Sequence, residues 1–225
     1  MSCWALLALK PPPLGKTRLS GLLPGAEREH LVLEMFDRVI NALQSAREID
    51  HIAVVTPEPG LLPRGVVAVA DPGAGLNHAL DAGRREITAR GARELLVLHA
   101  DLPTLTSREV DVFVRQGRRT GLALAPDHHR QGTNGLVLSL PSAFGFRFGT
   151  ASLALHLGEA RRCGLDATLS VLPGFAHDID EPADLQHLPR SSSGCRRAPL
   201  PAPRSTPRWT ASPKIFLPLH STERG

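Results

Sequence analysis

The chain has 225 residues, of which 42% are hydrophobic and 21% charged, so it can bury one ordinary core and is not a fully disordered protein. Its formal charge of +4 does not indicate a nucleic-acid binder, because residues 190–225 hold seven Lys or Arg against one acid, whereas residues 1–189 hold 19 against 21. The basic character therefore belongs to the C-terminal end.

Short apolar runs alternate with longer segments of helical periodicity up to about residue 188, which is typical of a mostly parallel sheet flanked by helices. Seven strands are predicted, at residues 4–9, 51–56, 66–70, 94–99, 121–126, 134–140 and 167–171. The last two are candidates for antiparallel strands. Five helices are predicted, at residues 26–47, 75–90, 107–117, 150–164 and 181–188. This pattern predicts an α/β sandwich.

Local signals support two boundaries. Thr106 or Ser107 can cap the third helix, with Glu109 and Asp111 favourably placed near its positive end. Residues 190–225 are dense in Pro, Ser and Arg and have no usable periodicity, so they cannot bury enough surface to fold. We therefore expect one domain over residues 1–189 and a disordered, solvated extension over 190–225.

The loop after the first strand carries three cations, Lys10, Lys16 and Arg18. The segment Gly15–Thr17 suggests a phosphate-binding P-loop, but that motif requires a glycine where this chain has Lys10, and prolines at 11–13 remove amide donors. A loop at the carboxyl end of an α/β sheet is a common ligand site. The loop is interpreted either as binding a triphosphate or as an ordinary solvated basic loop.

Two further loops follow strands. The glycine-rich segment 71–77 could bring backbone close to a base or ribose, although alone it is a weak signal. Asp101 follows a strongly apolar strand and precedes Pro103, which fixes the next turn. A carboxylate at this place suits Mg²⁺ holding nucleotide phosphates. The alternative for Asp101 is a turn or helix-capping role.

Segments 132–135 and 148–152 offer small residues, amides and hydroxyls at the start of a strand and of a helix. A helix N-terminus with Gly, Thr and Ser presents free N–H groups and favours a phosphate or carboxylate. The alternative is plain helix capping, for which Thr150 would suffice.

The segment 178–185 places four acids in seven positions, and alternation on an extended segment would point Asp178 and Asp180 the same way. Either can supply a second metal-facing carboxylate. The alternative for Asp180 is a helix N-cap before Pro182, and Asp184 is interpreted as a charge on the helix surface.

Other chemistries are not indicated. His99, His128, His129, His156 and His177 have no ligand-like spacing and are expected at the surface or in support of a site, and no nucleophile elbow is present. The cysteines at positions 3, 163 and 195 form no CxxC pair, and the apolar run at 4–9 is too short for a signal core or membrane span. We expect a cytoplasmic protein that binds neither nucleic acid nor membrane.

Taken in order, LKPPPLGKTRLS, DPGAGLN, HADLPTLT, DHHRQGTNGLVL, FGTASLALH and DIDEPADL resemble the 2-phospho-L-lactate or phosphoenolpyruvate guanylyltransferases of coenzyme F-420 biosynthesis, over residues 2–188. The resemblance implies a single three-layer α/β/α domain of the nucleotide-diphospho-sugar transferase type. It implies transfer of GMP from GTP to phosphoenolpyruvate, 2-phospho-L-lactate or 3-phosphoglycerate, with Mg²⁺ and release of pyrophosphate. It also implies delivery of the product to a downstream deazaflavin transferase.

The resemblance also assigns residues. It places Thr133, Gly149 and Ser152 on the phosphorylated acid. Asp101, and with it Asp180, is assigned to Mg²⁺. The resemblance assigns nucleotide binding to five residues. Lys16 and Arg18 are placed at the GTP phosphates, and Gly75 and Asn77 near the nucleoside. Lys10 is the fifth, and the proline run at 11–13 leaves its role open. Lys16, Arg18 and Asp101 form the implied catalytic set.

Two rival functions remain. One is nucleotidyl transfer to another acceptor, such as molybdopterin or a sugar phosphate, although enzymes of that kind usually open with a glycine-rich first loop that this chain lacks. The other is a non-catalytic nucleotide-binding protein whose basic tail recruits a partner. Acceptor profiling separates the first rival. Deleting residues 190–225 separates an enzyme, which keeps its turnover, from a recruiting protein, which loses its association.

Overall fold

A computed structural model of the chain describes residues 2–189, which form one seven-stranded sheet with helices on both faces. The strands are β1 Cys3–Ala8, β2 His51–Val55, β3 Val66–Val69, β4 Glu94–Leu98, β5 Leu122–Pro126, β6 Thr133–Ser139 and β7 Ala167–Leu169. Their order across the sheet is β3-β2-β1-β4-β6-β5-β7. The predicted mostly parallel α/β architecture is confirmed.

The helices are α1 Gly25–Gln44, α2 Leu76–Ala89, α3 Ser107–Thr120, α4 Ser152–Arg162 and the short α5 Pro173–Ala176. Four 3-10 turns complete the described elements, at Pro12–Leu14, Thr17–Leu19, Pro59–Leu61 and Pro182–His187. Within residues 2–189, none of the helices has both the length and the apolar character needed to cross a bilayer. The predicted disordered extension over 190–225 lies outside the described residues.

Strands β1 to β6 divide their side chains between two apolar clusters. On β1, Cys3, Ala5 and Leu7 pack with α1 and α3, whereas Trp4 and Leu6 pack with α2 and α4. This alternation is the two-residue period of a strand that is buried on both faces. The result is three layers, with helices above and below the sheet.

The sheet contains one reversed strand. β6 runs antiparallel to both β4 and β5, as predicted, but β7 pairs parallel with β5, so the expectation of a second antiparallel strand was wrong. The reason lies in α4, whose first residue, Ser152, contacts Thr133 at the start of β6. Helix α4 therefore starts at the sheet's carboxyl edge and returns the chain to the amino edge, from which β7 must run parallel.

Three helix predictions need correction. The last predicted helix is a 3-10 turn, α1 ends three residues before the predicted position 47, and α3 ends three residues after the predicted position 117. Asp111, expected to act on the dipole of α3, is buried and accepts the backbone N–H groups of Arg47 and Glu48, at 2.8 and 2.9 Å. It therefore anchors the chain that leaves α1. The predicted cap of α3 is confirmed, since Thr106 forms a capping box with Glu109.

Chain order reverses at β1, because β2 and β3 lie on one side of it and β4 on the other. In open α/β sheets, ligands bind at such a switch point, outside the carboxyl ends of the strands. The fold therefore predicts a ligand site at the loops that follow β1 and β4.

Candidate functional site

A cavity of about 590 Å³ opens at this switch point, a volume typical of small-ligand sites. Its walls come from the loops after β1, β3 and β4, together with Phe148 and the segment before the last 3-10 turn. The cavity brings together six residues that the sequence singled out, namely Lys10, Lys16, Arg18, Gly75, Asp101 and Asp180.

Lys16 is the central cation of the cavity. It lies between two 3-10 turns with a left-handed backbone (φ 51°), and its side chain is only 8% exposed. Its Nζ contacts the carboxylate of Asp101 and lies 2.8 Å from Oδ1 of Asp180. Burial alone would lower the pKa of the Lys16 ammonium, but the two carboxylates outweigh it and raise that pKa. Lys16 is therefore a fixed positive charge.

The other two cations of this loop are more accessible. Lys10 is exposed, and Arg18 is exposed with its guanidinium 3.5 Å from Glu181. Exposed pairs of this kind contribute little to stability and exchange partners readily. Lys10 and Arg18 can therefore turn to an anionic ligand in the cavity at small cost.

Asp101 also belongs to a group of possible metal ligands. One ligand atom from each of His99, Asp101 and Asp178 lies within 4.8 Å of the others. Oδ1 of Asp101 and Nε2 of His99 are buried without a hydrogen-bond partner among the described residues. Burial, followed by the nearby charge of Asp101, raises the pKa of Asp178. Two carboxylates that face each other with an unpaired oxygen form a site that a cation would stabilise.

Asp180 is linked to this group of residues through Lys16. Burial acts to raise its pKa, yet Lys16 outweighs burial and holds the pKa of Asp180 below its usual value. Asp178 lies close to Asp101, whereas Asp180 is linked to Asp101 through Lys16.

Two alternatives from the sequence are wrong for this segment. The last 3-10 turn is preceded by Glu181 as its N-cap, so Asp180 is not the cap. Asp184 is not merely a surface charge, because it accepts the N–H groups of Asp180 and Glu181, at 2.9 and 2.7 Å. Its side chain therefore fixes the backbone that carries Asp180.

Asn134 lies in the segment 132–135 that the sequence singled out, but the sequence assigned it no role of its own. Its Nδ2 donates to the backbone oxygen of Phe175 and, at 3.1 Å, to Oδ1 of Asp178. It is buried at the start of the reversed strand β6, beside the end of β4. Asn134 therefore holds Asp178 in place. The sequence did not indicate that this amide would contact Asp178.

Thr133 and Ser152 are brought together by the start of β6 and the start of α4. The N–H of Thr133 donates to Oγ of Ser152 at 2.8 Å, and both residues are buried. Gly149 is exposed with φ 128°, a conformation that favours glycine. The alternative of capping by Thr150 is wrong, because Ala151 is the N-cap of α4 and no side chain caps this helix.

Asn77 contacts the same loop from α2. Its side-chain amide accepts the N–H of Phe148 at 2.9 Å and donates to the oxygen of Phe148 at 3.0 Å. Phe148 lines the cavity, as does Gly75, the residue before α2. Asn77 therefore positions a cavity wall, and its predicted contact with a nucleoside stays a prediction.

Comparisons with known proteins agree with this geometry. Residues 4–195 match the family model described as guanylyl transferase CofC like. A phosphoenolpyruvate guanylyltransferase of Sphaerobacter thermophilus is 41% identical over 192 residues, which cover 84% of this chain and 93% of the relative. One of Rubrobacter xylanophilus is 36% identical and covers 88% and 98%.

Among solved structures, a protein of Desulfovibrio desulfuricans assigned to the nucleotide-diphospho-sugar transferases has a TM-score of 0.69 at 18% identity, over 86% of this chain and 90% of its own. The 4-diphosphocytidyl-2C-methyl-D-erythritol synthase of Anaerococcus prevotii has a TM-score of 0.55 at 11% identity, over 83% and 93%. These likenesses show the nucleotide-diphospho-sugar transferase fold. With the family match and the close relatives, they show that the chain is a nucleotidyltransferase that belongs to the CofC-like guanylyltransferase family.

Proposed function

We propose that this chain transfers GMP from GTP to a phosphorylated three-carbon acid, with release of pyrophosphate, in coenzyme F-420 biosynthesis. The observation that carries the proposal is the convergence of Lys16, Asp101 and Asp180 in a cavity at the switch point of the sheet, with Asp178 close to Asp101. Relatives that are 41% and 36% identical are named phosphoenolpyruvate guanylyltransferase. Phosphoenolpyruvate is therefore the first acceptor to test.

Mg²⁺ fits the residues at the base of the cavity. Oxygen ligands at a partly enclosed site suit this ion, and Asp101 offers a buried oxygen that has no partner among the described residues. Asp101 and Asp178 would hold the ion, with Asp180 available if Lys16 moved onto a phosphate. When bound, Mg²⁺ would neutralise charge on the phosphates of the nucleotide.

The proposed roles of the protein side chains follow from their positions. Lys16 is buried beside the carboxylates, so it would contact the triphosphate near the reacting phosphorus. Lys10 and Arg18 are exposed on the same loop, so they would bind the outer phosphates. Gly75 borders the cavity and would lie next to the nucleoside, with Asn77 beside it.

Thr133, Gly149 and Ser152 are proposed to bind the acid. A phosphate or carboxylate on three carbons needs several donors within a small volume, which hydroxyls and amides at the start of a helix provide. Phe148 lines the cavity and directly precedes Gly149. The acid would therefore reach the nucleotide from the side of the cavity that Phe148 forms.

The proposed reaction needs no general base. An anionic phosphate oxygen of the acid forms a bond to the α-phosphorus of GTP, and the bond from that phosphorus to the bridging oxygen of the β-phosphate breaks. Pyrophosphate leaves with the electron pair. The barrier lies in bringing two anions together, so orientation and fixed positive charge supply the catalysis. The labile product is proposed to pass to the downstream deazaflavin transferase.

The test is acid-dependent release of pyrophosphate from GTP by the purified chain, measured with phosphoenolpyruvate, 2-phospho-L-lactate and 3-phosphoglycerate separately. We expect release with one acid, abolished by chelating Mg²⁺ and much slower with CTP or ATP. Folded protein that releases no pyrophosphate with any of the three acids would contradict the proposal and favour another acceptor.

A further inference from the structure

His156 is a completely buried histidine on α4 whose two ring nitrogens are both engaged. Its Nε2 lies 2.9 Å from the backbone N of Arg147, and its Nδ1 lies 3.0 Å from Oγ1 of Thr133. The rings of Phe144 and Phe148 pack against it, with centroids 5.7 and 4.7 Å away. His156 therefore joins the Phe148 loop to the start of β6.

These contacts determine which nitrogen carries the proton. A backbone N–H can only donate, so Nε2 of His156 must accept from Arg147 and carry no proton. A neutral ring then carries its proton on Nδ1, which donates to Oγ1 of Thr133. Burial, with the charge of Arg147, lowers the pKa of His156 to about 4, so the ring is neutral at physiological pH.

The direction of this hydrogen bond determines what Thr133 can do. Since Oγ1 accepts from His156, the hydroxyl proton of Thr133 is available for a different acceptor. Among residues 2–189, Thr133 has no acceptor for it, although the side chain is only 1% exposed. A buried hydroxyl with an unused proton is suited to donate to an anionic ligand.

We infer that His156 is a positioning residue for the phosphorylated acid: it holds the hydroxyl of Thr133 as a donor to that ligand and, through the N–H of Arg147, fixes the loop that carries Phe148 and Gly149. This inference rests on the proposed function, because it names the acid as the acceptor of the hydroxyl proton. His156 does not touch the reacting atoms in this account. Its effect on the acid passes through Thr133.

Two substitutions of His156 each remove one of the two hydrogen bonds of its ring and keep the other. His156→Gln places an acceptor near the former Nε2 and keeps the contact with Arg147, but it removes the donor to Thr133. His156→Asn keeps a donor near the former Nδ1 and removes the acceptor for Arg147. We expect His156→Gln to raise the KM for the acid about 10-fold, the scale of one lost charge-assisted hydrogen bond. His156→Asn should raise it less, and the KM for GTP should change less than about 2-fold in both.

The Thr133→Val background provides the decisive control. If His156 acts through Thr133, His156→Gln adds less than about 2-fold to the KM for the acid in Thr133→Val, because contacting residues are not additive. An equal effect in both backgrounds, or an equal rise in the KM for GTP and for the acid, would overturn the inference.

An NMR measurement on the unaltered chain tests the geometry without turnover. Nitrogen-15 spectra, with the His156 signals identified by their loss in His156→Gln, should show a proton on Nδ1 and none on Nε2 at pH 7. A proton on Nε2, or a charged ring, would overturn the inference even if the enzyme is active. Absence of turnover with every acid would instead contradict the proposed function and leave the NMR result to decide the role of the ring.

Discussion

At the scale of single residues, the site is organised around opposed charges. Lys16 is buried between Asp101 and Asp180, and the carboxylate of Asp178 lies close to that of Asp101. Such a cluster stores repulsion that a bound cation and an anionic ligand together relieve. Under the proposed function, this arrangement would favour joint binding of Mg²⁺ and a nucleotide over binding of either alone.

Asp101→Asn tests the central carboxylate. The change removes one negative charge and keeps the shape, so we expect turnover to fall by at least about 100-fold, the scale of losing one preorganised electrostatic group. Pyrophosphate release measures this directly. Asp166→Asn, at an exposed position before β7, is the matched control and should leave the rate unchanged. Near-normal turnover of folded Asp101→Asn would rule out the metal assignment.

Because His156 is buried, the free energy of unfolding should depend on pH. The pKa of its ring is about 4 in the folded chain against an ordinary value of 6.5, so between these values the unfolded chain binds more protons. Stability therefore falls as pH drops through this window. Between pH 7 and pH 5, the free energy of unfolding of the unaltered chain should therefore fall by about 2 kcal/mol more than that of His156→Gln.

Urea unfolding at the two pH values measures this difference. His30→Gln, at an exposed position on α1, is the control and should follow the unaltered chain. If His156→Gln loses as much stability between pH 7 and pH 5 as the unaltered chain, His156 is not buried as a neutral ring.

The roles of some of these residues could be predicted from the sequence, and those of others could not. Lys16 and Asp101 could be predicted because each follows an apolar strand, and strand ends of a parallel sheet meet at one edge. The individual roles of Asn134 and His156 could not be predicted, because they depend on β6 running antiparallel and on α4 starting beside Thr133. Those contacts come from topology and leave no periodic signal.

At the scale of elements, the helix packing depends on close approaches at particular glycines. A Cβ added to Gly117 of α3 would lie 2.3 Å from Cγ1 and 2.6 Å from Cβ of Val137 on β6. The Cβ of Val137 is fixed by the strand and cannot rotate away. Helix α3 therefore rests directly on the strand that carries Thr133 and Asn134.

Gly117→Ala should destabilise the fold by about 1–3 kcal/mol, the usual cost of overpacking a core. Gly158→Ala in α4 is the matched change, because nothing lies within 4 Å of the added Cβ and the position is exposed. It should stabilise the fold by about 0.5–1 kcal/mol through helix propensity. Chemical denaturation measures both, and equal effects of the two changes would contradict the packing described for α3.

Element types could be predicted better than their directions. Strand and helix periodicities placed every strand within a few residues of its observed bounds. The predicted direction of β7 was wrong because the hydrophobic pattern does not show whether the preceding helix brings the chain back to the amino edge of the sheet. The last helix was wrong in type, since a six-residue turn after Pro182 is too short for periodicity to separate a 3-10 turn from an α-helix.

At the scale of the whole molecule, every residue assigned to the site lies within residues 2–189, and the family match ends at residue 195. A chain that ends at residue 195 should therefore keep its kcat and its KM values for GTP and the acid within about 2-fold. Steady-state kinetics of the shortened and full chains measure this. A large loss of turnover in a folded shortened chain would mean that residues 196–225 contribute to catalysis.

The central claim is that a phosphate oxygen of the acid attacks the α-phosphorus of GTP. The most direct test uses phosphoenolpyruvate labelled with ¹⁸O in its phosphate, with Mg²⁺ and GTP, and follows the products by ³¹P NMR and mass spectrometry. We predict that all of the label stays in a product of the acid joined to GMP, including its bridging oxygen, and that the pyrophosphate carries none. Labelled pyrophosphate, or GDP in place of the joined product, would contradict the account.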